Sequence, residues 1–448
     1  MRFWKDKIFL KSMFAIALPI ALQNLISTSV NMVDTLMITS LGEASLAAVG
    51  LANQVFFFYA LITFGINSGS SIFISQYWGK QDTINIRRIL GIALFLSISV
   101  GIVFTILAFF FPSFLMRIFI YDVEVVKLGA DYLKLVSFSY IITAISFSYN
   151  IALRSTGRPN IPMISAFLSF ITNTVFNYIL IFGKLGFPAL GVKGAAIATI
   201  IGRGVELSFL IYTIYRTKGV LAARIKDLID WNKEFINKYL KTVSPVIFNE
   251  AFWSLGQIMY SIAYASIGKE ATAAIQLTNT IQNVFFVLVR GLANACAVMI
   301  GSKIGADDKE GAYDYAIKFI SLSTMLGLGL GAIMALTPDL TLKIFSIEAE
   351  LYEVTKKILI IMGLTFFIRT YNSTVIVGVL RGGGDTNFSL YIEMGSVWLV
   401  GVPLAFIGAK VLNLPVYFVF LLVTIEEVLK LVISLPRILS KKWIKDLT

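Results

Sequence analysis

Long uncharged apolar runs alternate with short polar clusters from end to end of this chain, and their lengths set the elements. The stretches 89–111 and 396–409 contain no Asp, Glu, Lys or Arg, and roughly 20 apolar residues cross a bilayer as a helix. Breaks at charged or Gly/Pro clusters give spans at 13–39, 47–77, 89–111, 131–154, 161–183 and 191–215, then 243–267, 271–301, 315–338, 353–379, 387–409 and 411–436. The expected fold class is an all-α polytopic membrane protein with twelve transmembrane helices. Only 217–241 is a sizeable polar connection. Its Leu, Ile, Trp and Phe residues recur among charges, as in an amphipathic helix lying on a membrane surface. A plain linker is the simpler role for it, a partner-binding segment the other.

The twelve spans form two sixes that repeat at a spacing of 226 residues. Pro19 recurs as Pro245, Gly42 as Gly268, Leu51 as Leu277, Asn53 as Asn279, Gly65 as Gly291, Gly79 as Gly305 and Asp82 as Asp308. After a one-residue slip, Leu153, Arg154, Gly157 and Asn160 meet Leu380, Arg381, Gly384 and Asn387. The expected division is 1–216 as an N-terminal six-helix lobe, 217–241 as a cytoplasmic linker and 242–448 as a C-terminal six-helix lobe. Six is even, so both halves enter the membrane in the same direction. Such parallel repeats are related by a pseudo-two-fold axis along the membrane normal, and they are a common plan for secondary transporters.

Composition narrows the class. Of 448 residues 57% are hydrophobic and 14% charged, where a soluble protein carries about 25% charged. The net charge of +12 does not point to nucleic acid, because the bases sit in short connections between spans. Arg2, Lys5, Lys7, Lys11, Lys80, Arg87, Arg88, the 216–241 connection and the C-terminal tail place most of them on one side. Both termini are therefore expected to be cytoplasmic. The basic start resembles a signal peptide's, but its apolar run continues into a long helix without a small-residue cleavage site, so a retained first span is expected. Histidine is absent and Cys296 is the single cysteine; no cofactor, disulfide or His/Cys metal cluster is expected.

Polar residues inside the spans carry the candidate chemistry. Asn24, Ser27, Asn31 and Asp34 are spaced 3, 4 and 3 apart, which puts them on one stripe of a helix. The repeat converts them to Glu250, Trp253, Gln257 and Tyr260. Both stripes follow a proline, Pro19 or Pro245, that loosens the helix beneath. An ionisable group at mid-membrane costs ~2.5–3.5 kcal/mol or more and faces a cavity or a partner. The two stripes are thus expected to line a central substrate cavity. Asn173 and Asn177 lie four apart on one face of span 5, and Thr199 on span 6 is positioned to join them. One carboxylate among neutral oxygens suits a hard monovalent cation or a proton. The competing reading makes Asp34 a buried structural carboxylate bonded to Asn31 or to a neighbouring helix, and Glu250 a cap or brace of span 7.

Other intramembrane charges pair by spacing: Arg203 with Glu206, and Glu426 and Glu427 with Lys430. Arg290, Arg369 and Glu393 have no obvious partner, and either arginine in the cavity would favour anionic or amphipathic cargo. The glycine-rich pieces FGINSGSSIFISQYWGK and VLRGGGDTNF lack the Gly-Lys-Ser/Thr ending of a phosphate loop. Close helix contacts account for them.

The chain resembles the multidrug and toxic compound extrusion (MATE) transporters, whose superfamily also holds lipid-linked oligosaccharide flippases. The stretches that carry the resemblance are PIALQNLISTSVNMVDTLMI, ISQYWGKQD, ALRSTGRPNIPM, FNYILIFGKLGFPALGVKGAAIAT, SPVIFNEAFWSLG, VLRGGGDT with the later WLVGVPLA, and PRILSKKWIKDL. The resemblance implies two six-helix lobes in a V, alternating between inward and outward openings. It further implies export of amphipathic, often cationic, organic compounds in exchange for Na⁺ or H⁺. Asp34 stands at the family's span 1 coupling acid, and Asn173, Asn177 and Thr199 where members build a cation site around it. Some proton-coupled relatives have aspartate in place of Asn177. Glu250 matches the span 7 glutamate of relatives with a second-lobe cation site, but 362–384 lacks the acid that such relatives also carry in span 10.

The expected function is a multi-pass antiporter of a bacterial inner (plasma) membrane, a monomer in the lipid bilayer, acting on small amphipathic molecules. The alternative keeps the fold and changes the cargo to a lipid-linked glycan or another large anionic amphiphile. An embedded enzyme is disfavoured for want of a nucleophile–base pair.

Overall fold

The computed structural model describes residues 6–343 and 349–448; Arg2 and Lys5 of the charge reading lie outside them. The described chain is helical throughout, with helices at α1 (Lys7–Thr39), α2 (Glu43–Gly79), α3 (Thr83–Phe110), α4 (Pro112–Arg117), α5 (Val123–Val136), α6 (Phe138–Ser155), α7 (Asn160–Phe182) and α8 (Val192–Arg216). They continue as α9 (Ile225–Leu228), α10 (Lys233–Ala265), α11 (Lys269–Gly305), α12 (Lys309–Leu336), α13 (Pro338–Leu342), α14 (Ala349–Ser373), α15 (Thr386–Ser396), α16 (Val402–Phe406) and α17 (Val416–Leu439). Among the described residues eight helices are long and apolar enough to cross a membrane: α1, α2, α3, α7, α8, α11, α12 and the stretch Thr386–Val411. The pair α5–α6, bent by 48°, makes a ninth. The remaining long helices are α10, α14 and α17, so the element order is consistent with twelve passes.

The repeat is written into the turns as well as the helices. Asp82 caps α3 by accepting from the Asn85 N–H, and Asp308 caps α12 by accepting from the Gly311 N–H. The residues before them, Gln81 and Asp307, share a left-handed φ of 59°. Phe111 and Thr337 end α3 and α12 with φ of −123°, and each precedes a proline that starts a short helix. Lys218 and Lys441 turn left-handed after α8 and α17. The 217–241 connection is less helical than its periodicity suggested: α9 is a single turn, and α10 begins at Lys233.

The chain groups into two compact units, Leu22–Val243 and Met1–Ala21 with Ser244–Thr448. These are the N-terminal and C-terminal units below. The boundaries differ from the sequence division at 216 and 242. They fall in helices α1 and α10, within two residues of Pro19 and Pro245. In the C-terminal unit the first part of α1 packs through Phe9 against Tyr315 and Phe319, and the Asp6 carboxylate meets Lys318 at 2.7 Å. In the N-terminal unit the first part of α10 packs through Tyr239, which stacks on Phe73 and bonds the Ser70 hydroxyl at 2.6 Å.

Each unit has its own core. The N-terminal unit is centred on Tyr59 and Tyr140, stacked at 5.1 Å, with Val49, Met116 and Leu133 around them. The C-terminal unit has a cluster about Phe366, Met362 and Val419, and another about Phe319, Met299 and Trp443. Its helices are interrupted by π-helical stretches at Thr374–Arg381, Val397–Gly401 and Ile407–Val411, a geometry that often marks functional positions. The glycine-rich pieces do serve packing: Gly69 lies against Val243, and Gly383 against Trp443.

Candidate coupling site in the N-terminal unit

Asp34 is carried by α1 four turns beyond Pro19. Its carboxylate accepts a short hydrogen bond from the Asn177 amide on α7. The same amide group donates to Asn173 Oδ1 at 3.2 Å, one turn away. Both asparagines are buried. Asn177 Oδ1 has no hydrogen-bond partner among the described residues, an open acceptor on the amide that binds the carboxylate. The fold permits this because α8 runs close to α7: Gly194 faces the Leu180 carbonyl, and a Cβ at Gly202 would sit 3.1 Å from the Asn173 Cβ.

Three of the four expected cation residues thus come together, Asp34, Asn173 and Asn177. Thr199 does not bond them; its hydroxyl donates to the Ala195 carbonyl of its own helix at 3.0 Å. Three further residues were not singled out by sequence reasoning. Tyr132, fully enclosed, lies beside Thr199 and within electrostatic reach of Asp34. Asn150 donates to Glu206 Oε1 at 3.0 Å, while Arg203 holds the other oxygen of Glu206 at 3.1 Å, the pairing that spacing predicted. Arg203 is also within electrostatic reach of Asp34, yet its ion-pair partner is Glu206. Arg154 grips Gln23 Oε1 through two nitrogens, at 3.1 and 2.6 Å. The recurrence of Leu-Arg at 153–154 and 380–381 is the signal that would have marked Arg154 as more than a repeat position.

Chemically, the cluster offers one carboxylate and amide oxygens, and no group of three or more His, Cys, Asp or Glu is placed to hold a metal ion among the described residues. That donor set fits a monovalent cation or a proton and has too little charge for a dedicated divalent site. The rest of the α1 stripe is open: Ser27 and Asn31 are exposed and Asn24 is half-buried.

The matching stripe on α10 is partly turned inward. Trp253 and Gln257 are exposed, but Tyr260 is buried and its phenol donates to Glu426, so it does not line an open cavity as expected. Burial on this side follows from Gly401, where any Cβ would collide with the Tyr260 hydroxyl. Glu250, expected as an open second-lobe ligand, is held by Arg381 at 2.6 Å. It braces α10 against the π-helical stretch. Glu393 accepts from Asn249 at 2.7 Å and faces Arg381 at 3.7 Å, and Arg369 donates to Gln282 at 3.1 Å.

The sequence model of the MatE family matches this chain twice, over residues 19–179 and 245–407. The chain belongs to the MATE family of transporters. The two matches begin at Pro19 and Pro245, the 226-residue repeat seen in the sequence. MATE relatives include the probable multidrug resistance protein NorM of Thermotoga maritima, 26% identical over 442 residues that cover 97% of this chain and 93% of that one. The NorM of Pasteurella multocida, also a probable multidrug resistance protein, is 28% identical over 421 residues, 90% of this chain and 87% of that one. An outward-facing multidrug resistance MATE transporter superposes with a TM-score of 0.86 at 22% identity, covering 96% of both chains. A transporter of the same superfamily from Pyrococcus furiosus superposes equally well, with TM-score 0.86, 22% identity and 96% of both chains covered. Its binding pocket is described as reversed in polarity, suggesting a different function for that protein. Members of the MATE family are transporters rather than enzymes, and the many apolar helices here fit a multi-pass membrane protein.

Proposed function

We propose that this chain is a multidrug efflux antiporter that exports amphipathic organic cations in exchange for Na⁺ or H⁺, by alternating access. The observation that carries the reading is the Asp34 carboxylate, bonded to an amide and not to a base, beside the unpartnered Asn177 oxygen. A carboxylate within the membrane needs a positive charge to neutralise it, at a cost otherwise of about 2.5–3.5 kcal/mol or more. A coupling cation supplies that charge in one conformation and an exported organic cation displaces it in the other. Exchange follows if the two states bind the ion with different affinity. Ser27, Asn31 and Asn24 on the same stripe, with Trp253 and Gln257 on α10, are the proposed cargo contacts. The proposal includes a monomer in the inner (plasma) membrane with both termini cytoplasmic.

The test is gradient-driven efflux of a fluorescent organic cation from proteoliposomes, with Na⁺ and pH gradients imposed separately. One gradient alone is expected to drive efflux, and Asp34→Asn to abolish it while the protein still elutes as a folded species. Undiminished efflux by that variant would remove Asp34 from the mechanism.

A second reading rests on Arg290, an exposed arginine of α11, and on the reversed polarity of the Pyrococcus furiosus relative. It makes the cargo an anionic amphiphile such as a lipid-linked glycan. Failure to move organic cations under either gradient, together with saturable binding of an anionic glycolipid, would favour it.

A further inference from the structure

The buried acids of the C-terminal unit, unlike Asp34, are already held by bases. Arg381 bridges Glu250 at 2.6 Å and Glu393 at 3.7 Å. Lys430, 3% exposed, lies 3.3 Å from Glu426 and 3.5 Å from Glu427 on its own helix α17. Asn372 donates to Glu427 at 2.6 Å, and its Oδ1 has no partner among the described residues.

The repeat makes this cluster the sequence counterpart of the coupling site. Tyr260 stands 226 residues after Asp34. In the N-terminal unit the acid is on the first helix of the repeat and an amide answers it from α7. In the C-terminal unit the first helix carries the phenol, and the acid, Glu426, answers from α17. An ammonium group comes with it, seated between two carboxylates, one of which also accepts from the Asn372 amide. That is the coordination a monovalent cation would take, filled here by a cation that the chain carries itself. The other charged or titratable groups facing the cluster are Arg369 near Glu427, Tyr264 near Glu426, and Arg290 near Glu250.

We propose that Lys430, with Arg381, is a resident cation of the C-terminal unit, so that the transporter takes up its coupling ion in the N-terminal unit alone, one per cycle. The inference rests on the Asp34 reading and adds the stoichiometry to it. A single monovalent ion exchanged for a monovalent organic cation moves no net charge, so such exchange is indifferent to membrane potential.

The experiment counts ions displaced from the purified full chain by saturating tetraphenylphosphonium, as radioactive sodium lost or as protons released into weak buffer. The expected counts are one for the wild type and none for Asp34→Asn. Adding Lys430→Met to Asp34→Asn should restore a count of one, because the vacated seat now takes a free cation. Adding Glu427→Gln as well should return it to none, since the seat has lost a carboxylate. A wild-type count of two, with one remaining in Asp34→Asn, would overturn the resident-cation proposal and leave the Asp34 reading standing. A wild-type count of one that survives in Asp34→Asn would overturn the Asp34 reading instead. A count of zero from monodisperse Asp34→Asn/Lys430→Met protein would also overturn the proposal. Should the Lys430 variant not fold, the first two counts decide.

Discussion

Asn177 does two things: its NH₂ fixes the Asp34 carboxylate, and its buried carbonyl oxygen has no donor among the described residues. Asn177→Ala removes both and is expected to weaken ion affinity at least tenfold, about 1.4 kcal/mol, read as a rise in the ion concentration for half-maximal efflux. Asn173 depends on its neighbour helix. A leucine at Gly202 would push on the Asn173 Cβ and the Ser169 carbonyl, which lie 3.1 and 3.2 Å from where its Cβ would be. Gly202→Leu is therefore expected to lower ion affinity several-fold, with Gly204→Leu as a control, since a Cβ there meets nothing within 4 Å. At this scale the sequence disclosed the asparagines and Asp34, because polar residues at helical spacing in apolar runs stand out. It did not disclose that Thr199 bonds its own helix or that Tyr260 turns inward. Those outcomes depend on how closely Gly202 and Gly401 let backbones approach, which is a tertiary matter.

Among the elements, the turn from α11 to α12 repeats that from α2 to α3 with different side-chain partners. Asp82 receives the Asn85 N–H and, at 2.6 Å, the Asn85 amide, while Asp308 receives the Gly311 N–H and Lys303, at 2.7 Å. The Lys303 ammonium, then the Gly311 N–H, hold the Asp308 carboxyl below the usual carboxylate range. A depressed acid stabilises the fold above its ordinary pKa and loses that contribution as pH falls through the lowered value. Asp308→Asn should thus lower thermal stability at neutral pH by an amount that shrinks as pH falls through that lowered value; melting curves from neutral to acid pH check it. The span order was legible from apolar run lengths and the repeat from the matched positions that begin at Pro19 and Pro245. The π-helical stretches were not, since no composition distinguishes them from ordinary helix. They follow from packing around Gly378, Gly382 and Gly401, where Cys296, Ala297 and Glu426 crowd the backbone.

For the molecule as a whole, the surplus of Lys and Arg on one side predicts its orientation. Cys296 is buried and is the single cysteine, so a Cys296→Ala background is silent to thiol reagents. In it, Asp230→Cys and Thr448→Cys should both react with an impermeant maleimide only after the membrane is opened; labelling of intact cells at either would reverse the topology.

The boundaries within α1 and α10 bear on how such a chain must be made. Residues 7–21 complete the C-terminal unit, and residues 233–243 complete the N-terminal one. Each half of the repeat thus lends its first helical arm to the other unit, the covalent analogue of a swapped element. A gene cut between codons 217 and 232 would leave each fragment without a piece that only the other encodes. Neither should be stable alone, whereas joint synthesis should recover a working exporter.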